Sequence, residues 1–161
     1  MKLFVKRVFS DDGTGFRIFD ESGDCRYTVN VETEGNKQRI TILNTSEIPV
    51  SEIYHKQFLM RYFTVRCQAG FFILLPVIRD CFSFRIYGSC YRFAGDITTG
   101  RFSLFDVDKS PIMTQKKCWS KYGDAYELNI CVPEDEILSI SVALSADMFI
   151  AAGGESTVYS G

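Results

Sequence analysis

The sequence predicts an all-β domain with one helix: a closed antiparallel barrel of about twelve strands enclosing a hydrophobic C-terminal helix. Two observations predict it. The segment from Glu134 to Ala152 has helical punctuation but no wet side, and nearly everything before it reads as short strands joined by turns. In the helix the polar members Ser139, Ser141, Ser145 and Asp147 fall on several sides of the cylinder, so no polar stripe forms. A helix of that kind must be enclosed by protein or by lipid. The apolar run from Ile137 to Ala152 is shorter than the roughly 20 residues of a membrane span, carries Asp147 and lacks flanking Lys or Arg. No transmembrane segment is therefore expected. Pro133 and the acidic Glu134, Asp135 and Glu136 suit the first turn and the positive end of the helix dipole, and Gly153-Gly154 suit the stop.

The strands are marked by a recurring triplet of apolar, polar and aliphatic residues: Phe16-Arg17-Ile18, Ile40-Thr41-Ile42, Phe63-Thr64-Val65, Phe84-Arg85-Ile86, Phe102-Ser103-Leu104 and Tyr126-Glu127-Leu128. Turn signals follow most of them, among them Asp20-Glu-Ser-Gly23, Asn44-Thr-Ser-Glu47 and Asp106-Val-Asp-Lys109. A first strand near Lys2–Phe9, five hairpins and a last strand near Gly123–Cys131 make about twelve. Alternation is clean in Cys25/Tyr27/Val29/Val31 against Arg26/Thr28/Asn30/Glu32, which places Cys25 with the core residues. The run Phe71–Ile78 is apolar on both faces, and Pro76 argues for an edge, a bulge or an irregular crossing there. A sheet of about twelve strands tends to close, and beyond about eight strands wall side chains no longer fill the interior. The all-round apolar helix fits that vacancy. One domain, 1–154, is expected, with strands over 2–131, the central helix over 134–152 and a polar tail, 155–161.

Composition bounds the function. The 161 residues are 46% hydrophobic and 14% aromatic, with a net charge of −2, so the whole-chain field does not attract nucleic acid. The start, Met1-Lys-Leu-Phe-Val-Lys-Arg7, breaks into charge before an export signal forms, and the expected location is cytoplasmic. Six cysteines without a C-x-x-C pair, and one histidine, His55, predict neither a metal site nor any other cofactor. The cysteines are expected to be reduced and mostly buried, and His55 to be a partly exposed strand residue.

The opening Met1–Ser10, then Phe16-Arg-Ile-Phe-Asp-Glu-Ser-Gly23 and Arg26-Tyr-Thr-Val29, resembles the start of the LURP-one-related family, which belongs to the tubby C-terminal-like group that also includes the phospholipid scramblases. Lys116-Lys-Cys-Trp-Ser-Lys-Tyr-Gly-Asp-Ala-Tyr-Glu-Leu128 is similar to the family's lysine-tryptophan, glycine-aspartate and tyrosine stretch, and the helix through Asp147 to its closing segment. The stretch from Trp119 to Gly123 is one residue longer than the usual form. The resemblance implies a tubby-like barrel around a C-terminal helix. It also implies a non-enzymatic binding or scaffold module, with acidic phospholipid headgroups as the ligand. Tubby domains proper hold headgroups through basic side chains on neighbouring strands; the nearest candidates are Lys56, Arg61 and Arg66, expected on one outer face. The scramblase relatives' Pro-rich segment, palmitoylation cluster and calcium loop have no counterpart in this sequence.

The remaining candidates are structural. Trp119 is expected to pack at the barrel rim, with Gly123-Asp124 in a tight turn. Asp147 is expected to accept a hydrogen bond from wall backbone or a hydroxyl, or else to act as a functional buried acid. Lys116-Lys117 reads as an exposed strand face or a phosphate contact. Two other functions remain open: an enzyme using a cysteine near His55 at the barrel mouth, and a protein-interaction domain of unknown partner.

Overall fold

The computed structural model describes residues 1–11, 13–57, 60–78, 81–120 and 123–153. Twelve strands run in chain order: β1 (Lys2–Ser10), β2 (Gly13–Asp20), β3 (Cys25–Glu34), β4 (Lys37–Leu43), β5 (Pro49–Gln57), β6 (Arg61–Cys67), β7 (Gly70–Ile78), β8 (Phe82–Tyr87), β9 (Arg92–Asp96), β10 (Arg101–Phe105), β11 (Pro111–Ser120) and β12 (Gly123–Ile130). A short 3-10 turn, Pro133–Asp135, leads into the helix α1 (Glu136–Gly153). The predicted tail, 155–161, and Gly154 of the predicted stop lie outside the described residues.

All twelve strands form one antiparallel sheet in the order β8-β7-β6-β5-β4-β3-β2-β1-β12-β11-β10-β9. Neighbours in sequence are neighbours in space, and β1 joins the two halves by pairing with β12. The seam lies between β8 and β9, where the Ile97 amide donates to the Phe82 carbonyl at 2.8 Å. The barrel is thus nearly closed, as the strand count predicted.

Three hairpins share one turn chemistry. Asp20, Asn44 and Asp106 each accept, on one side-chain oxygen, the amides two and four residues on, at 2.8–3.0 Å. The residue three on has a positive φ in each: Gly23 at 93°, Glu47 at 60° and Lys109 at 64°. A register shift precedes each turn, at Ile18/Phe19, Ile42/Leu43 and Leu104/Phe105. The bulge rotates the chain into the turn, and the Asx side chain replaces the ladder bonds lost there.

The helix fills the barrel. Leu138 to Ala146 are buried without a break, among inward rows that include Leu3, Phe16, Ile18, Ile40, Ile53 and Phe63. The stretch Pro133–Gly153 is long and apolar enough to cross a membrane by length and composition, with mean hydropathy 1.5, but 61% of its 18-residue apolar window is buried inside the barrel. Polar tethers fix it along its length. Near its start, Tyr27 donates to Glu136 at 3.0 Å and Tyr91 to Asp135 at 2.6 Å. In its middle, the Ser51 and Ser141 hydroxyls share a hydrogen bond of 2.9 Å. Toward its end, Arg7 pairs with Asp147, and Arg61 donates to the Ala152 carbonyl at 3.3 Å.

Four expectations need correction. Cys25, Cys90 and Cys131 are exposed and the other thiols only partly covered; Cys25 follows the β2–β3 bulge, at the strand end beyond the helix's cover. His55 is buried, because it shares the inward row of Ser51 and Ile53. Trp119 projects from the rim instead of packing there, with 84% of its surface exposed. Pro76 sits in a regular strand that is not the edge. Pairing of β7 with β6 stops at Leu74, so the missing amide breaks no ladder on that side.

Candidate functional site

Register decides where the predicted basic residues go. In β5 the row Ser51, Ile53 and His55 faces inward, so Lys56 faces out. In β6 the inward row is Phe63 and Val65; Arg66 faces out, while Arg61 begins the inward row. Arg61 lies at the helix C-terminus, where its guanidinium meets the Ala152 carbonyl and the negative end of the helix dipole. Lys56 lies opposite Tyr62, and Arg66 opposite Glu52. The two outward cations are therefore about 13 Å apart along the strands at about 3.3 Å per residue. Lys56, Arg61 and Arg66 do not share one face, contrary to the sequence expectation.

The other predicted residues separate as well. Trp119 pairs in register with Asp124, and Ser120 with Gly123, whose φ is 87°. Asp124 takes an exposed ion pair from Lys117 at 3.3 Å. Residues 121–122 of that connection lie outside the described residues. Asp147 is held by the Arg7 guanidinium in addition to a hydroxyl of the kind expected. The Tyr126 hydroxyl also bonds to it, and burial together with the Asp147 charge pushes Tyr126 up to about 12.

The thiols and the histidine are likewise apart. Cys67 lies opposite Ser51, and His55 is four residues further along β5. Burial pushes the Cys67 and Cys118 thiols up and His55 down. Those directions keep both thiols protonated and the imidazole neutral, which is poor preparation for a thiolate–imidazolium pair. Cys67 lines a mouth pocket of about 590 Å³ beside the start of α1, with Tyr27, Asn44, Glu52, Arg66 and Gln68.

A cationic groove lies on the outer wall. Leu3, Leu128, Met113 and Phe102 point inward on β1, β12, β11 and β10. Alternation therefore turns Lys2, Glu127, Asn129, Thr114, Lys116, Arg101 and Ser103 outward, and these residues line a groove of about 590 Å³. Glu127 lies between two ammonium groups, 3.3 Å from Lys116 and 3.8 Å from Lys2. Its side chain is 15% exposed, against 56% for Lys116 and 48% for Lys2. With Arg101 alongside, the groove carries an excess of positive charge in a ring of hydroxyl and amide donors. Gly95 closes one side: a Cβ there would meet the Arg101 carbonyl oxygen at 2.5 Å and the Phe102 Cα at 2.6 Å, so only glycine lets β9 lie this close.

Sequence reading came nearest with Lys116-Lys117. It missed the groove because Lys2 and Glu127 meet only through closure of β1 on β12, a pairing of residues more than 120 apart in the chain.

The chain matches no family model and no curated protein. It is similar in structure to the X-ray structure of a protein from Arabidopsis thaliana, at TM-score 0.55 and 15% sequence identity, over 89% of this chain and 90% of that one. The fold is thus shared nearly end to end.

Proposed function

We propose that this domain is a non-enzymatic binding module of the LURP-one-related, tubby-like type, and that its ligand is an acidic phospholipid headgroup held in the outer groove. The observation that carries this reading is the convergence of Lys2 and Lys116 on Glu127 with Arg101 beside them. A phosphate monoester has charge near −2 and three strong acceptor oxygens, which suits Arg101, the two lysines and the donors of Ser103, Thr114 and Asn129. Glu127 holds the lysines in place and limits affinity by its own charge. Each cation near an anionic surface contributes about 1 kcal/mol, so binding is weak and salt-sensitive.

Liposome co-sedimentation tests this. The protein should pellet with acidic vesicles at low salt more than with neutral vesicles. The excess should vanish in moderate salt and in the variant Lys2→Ala/Arg101→Ala/Lys116→Ala, and should survive in Arg66→Ala. Equal behaviour on both lipids would retire the reading and leave a protein-interaction domain of unknown partner.

A further inference from the structure

We infer that the barrel mouth at the C-terminal end of α1 is a membrane-docking surface, whose apolar rim enters the interface of an acidic phospholipid bilayer. The inference rests on the lipid-directed reading above but uses a different surface.

The rim is made by inward-facing rows that run past the end of the filled core. In β1, Leu3 and Val5 are buried and Arg7 reaches Asp147; two residues on, Phe9 is 75% exposed. In β7, Phe72 and Leu74 are buried, and the same row ends in Ile78, 66% exposed. In β11, Met113 and Gln115 are buried, and the row ends in Trp119. Met60, 58% exposed, stands beside Arg61 in the β5–β6 connection. Registers Ser10↔Gly13, Gln57↔Arg61, Ile78↔Phe82 and Ser120↔Gly123 place all four at hairpin ends, and Arg61 on Ala152 locates that end at the helix C-terminus.

The exposed aromatic and aliphatic side chains select the occupant, and charge selects the orientation. The opposite end also exposes Ile48 and Val107. There, however, the shared turns carry Asp20, Glu21, Asp24, Glu47, Asp106 and Asp108, and the helix start adds Glu134 to Glu136, which outnumber the cations Arg26, Arg92 and Lys109 at that end. An anionic surface repels that end. At the rim the acids Asp11, Glu34, Asp96 and Asp124 are matched by Lys37, Lys56, Arg101 and Lys117, so that end is close to neutral. Exposed Trp and Phe flanked by lysines match the bilayer interface, where an aromatic ring sits at headgroup level and an ammonium meets phosphate.

Trp119 is the chain's one tryptophan, so its emission reports the rim directly. The full chain is titrated with vesicles of phosphatidylserine and phosphatidylcholine, and separately with soluble inositol trisphosphate, which offers a headgroup without an acyl surface. The expected result is a saturable blue shift of Trp119 on the vesicles, with quenching by brominated acyl chains. Phe9→Ser and Ile78→Ser should each weaken partitioning about tenfold, as burial of one large apolar side chain implies, while the melting transition stays in place. Co-sedimentation without a Trp119 shift would overturn the docking surface and leave the headgroup reading standing. A shift on vesicles without inositol trisphosphate binding would support the docking surface and sink the groove. A concentration-dependent shift without lipid would assign the rim to a protein contact and overturn the inference.

Discussion

Arg7 of β1 and Asp147 of α1 form an ion pair inside the barrel, linking the first strand to the last third of the helix. Arg7 also lies over the Phe16 ring, 5.4 Å from its centroid. Asp147 is the one charged residue of α1 after Glu136, and without a partner it would be costly in that position. Arg7→Met alone leaves the carboxylate behind, and Asp147→Leu alone leaves the guanidinium. Because the Arg7 side chain is 31% exposed, the loss is discounted to about 1–3 kcal/mol for either change. The double variant should recover much of it. Urea unfolding of the four proteins gives the coupling energy directly.

The helix core should respond by position. Leu144 is fully buried, whereas Phe149 is half-buried between Phe82 and Phe84. Leu144→Ala should cost about 2–5 kcal/mol. Phe149→Ala should cost less despite the larger side chain lost. Denaturant midpoints at constant slope would check the order, and the reverse order would place the tightly packed part of α1 nearer the mouth.

Two of the three related turns hold a residue unsuited to them. Glu47 and Lys109 take the left-handed conformation that Gly23 takes in the first turn. Glu47→Gly and Lys109→Gly should each stabilise the domain by about 0.5–1 kcal/mol, and Gly23→Ala should destabilise it by a similar amount. Thermal melts of the three variants decide this.

His55 should make the domain acid-sensitive. It stacks on Phe63 at 4.6 Å and contacts Gln38 at 3.3 Å through Nδ1. Burial, with the nearby charge of Arg61, holds its pKa below the usual 6.5. The unfolded chain therefore binds a proton that the folded chain refuses as pH falls below about 6.5, and stability declines toward acid. His55→Phe should remove that part of the slope. Proton NMR of the chain's one histidine should give a pKa under 6.5; a value above it would reverse the sign.

The strand count, the hairpin order and the enclosed helix were legible because each has a local cause. Triplet alternation marks the strands, Asp20, Asn44 and Asp106 mark turns by their own hydrogen bonds, and a helix without a polar stripe demands a surrounding wall. The misreadings came where distant pairing or an element's end decides. Cys25 alternates with core residues, but the bulge at Ile18/Phe19 and the end of the helix's cover leave it in solvent. Arg61 and Lys56 are near in sequence, yet the intervening turn puts them on opposite faces. His55 could be placed only once the inward row of β5 was known. The Lys2–Glu127–Lys116 contact needs the β1–β12 ladder, which no local pattern encodes.

Calorimetric titration with inositol trisphosphate at low salt decides whether the outer groove holds a headgroup. Saturable, weak binding is expected, abolished in moderate salt and in Lys2→Ala/Arg101→Ala/Lys116→Ala, and retained in Lys56→Ala/Arg66→Ala. Absence of binding to the wild-type protein, or binding unchanged by loss of the three groove cations, would contradict the account.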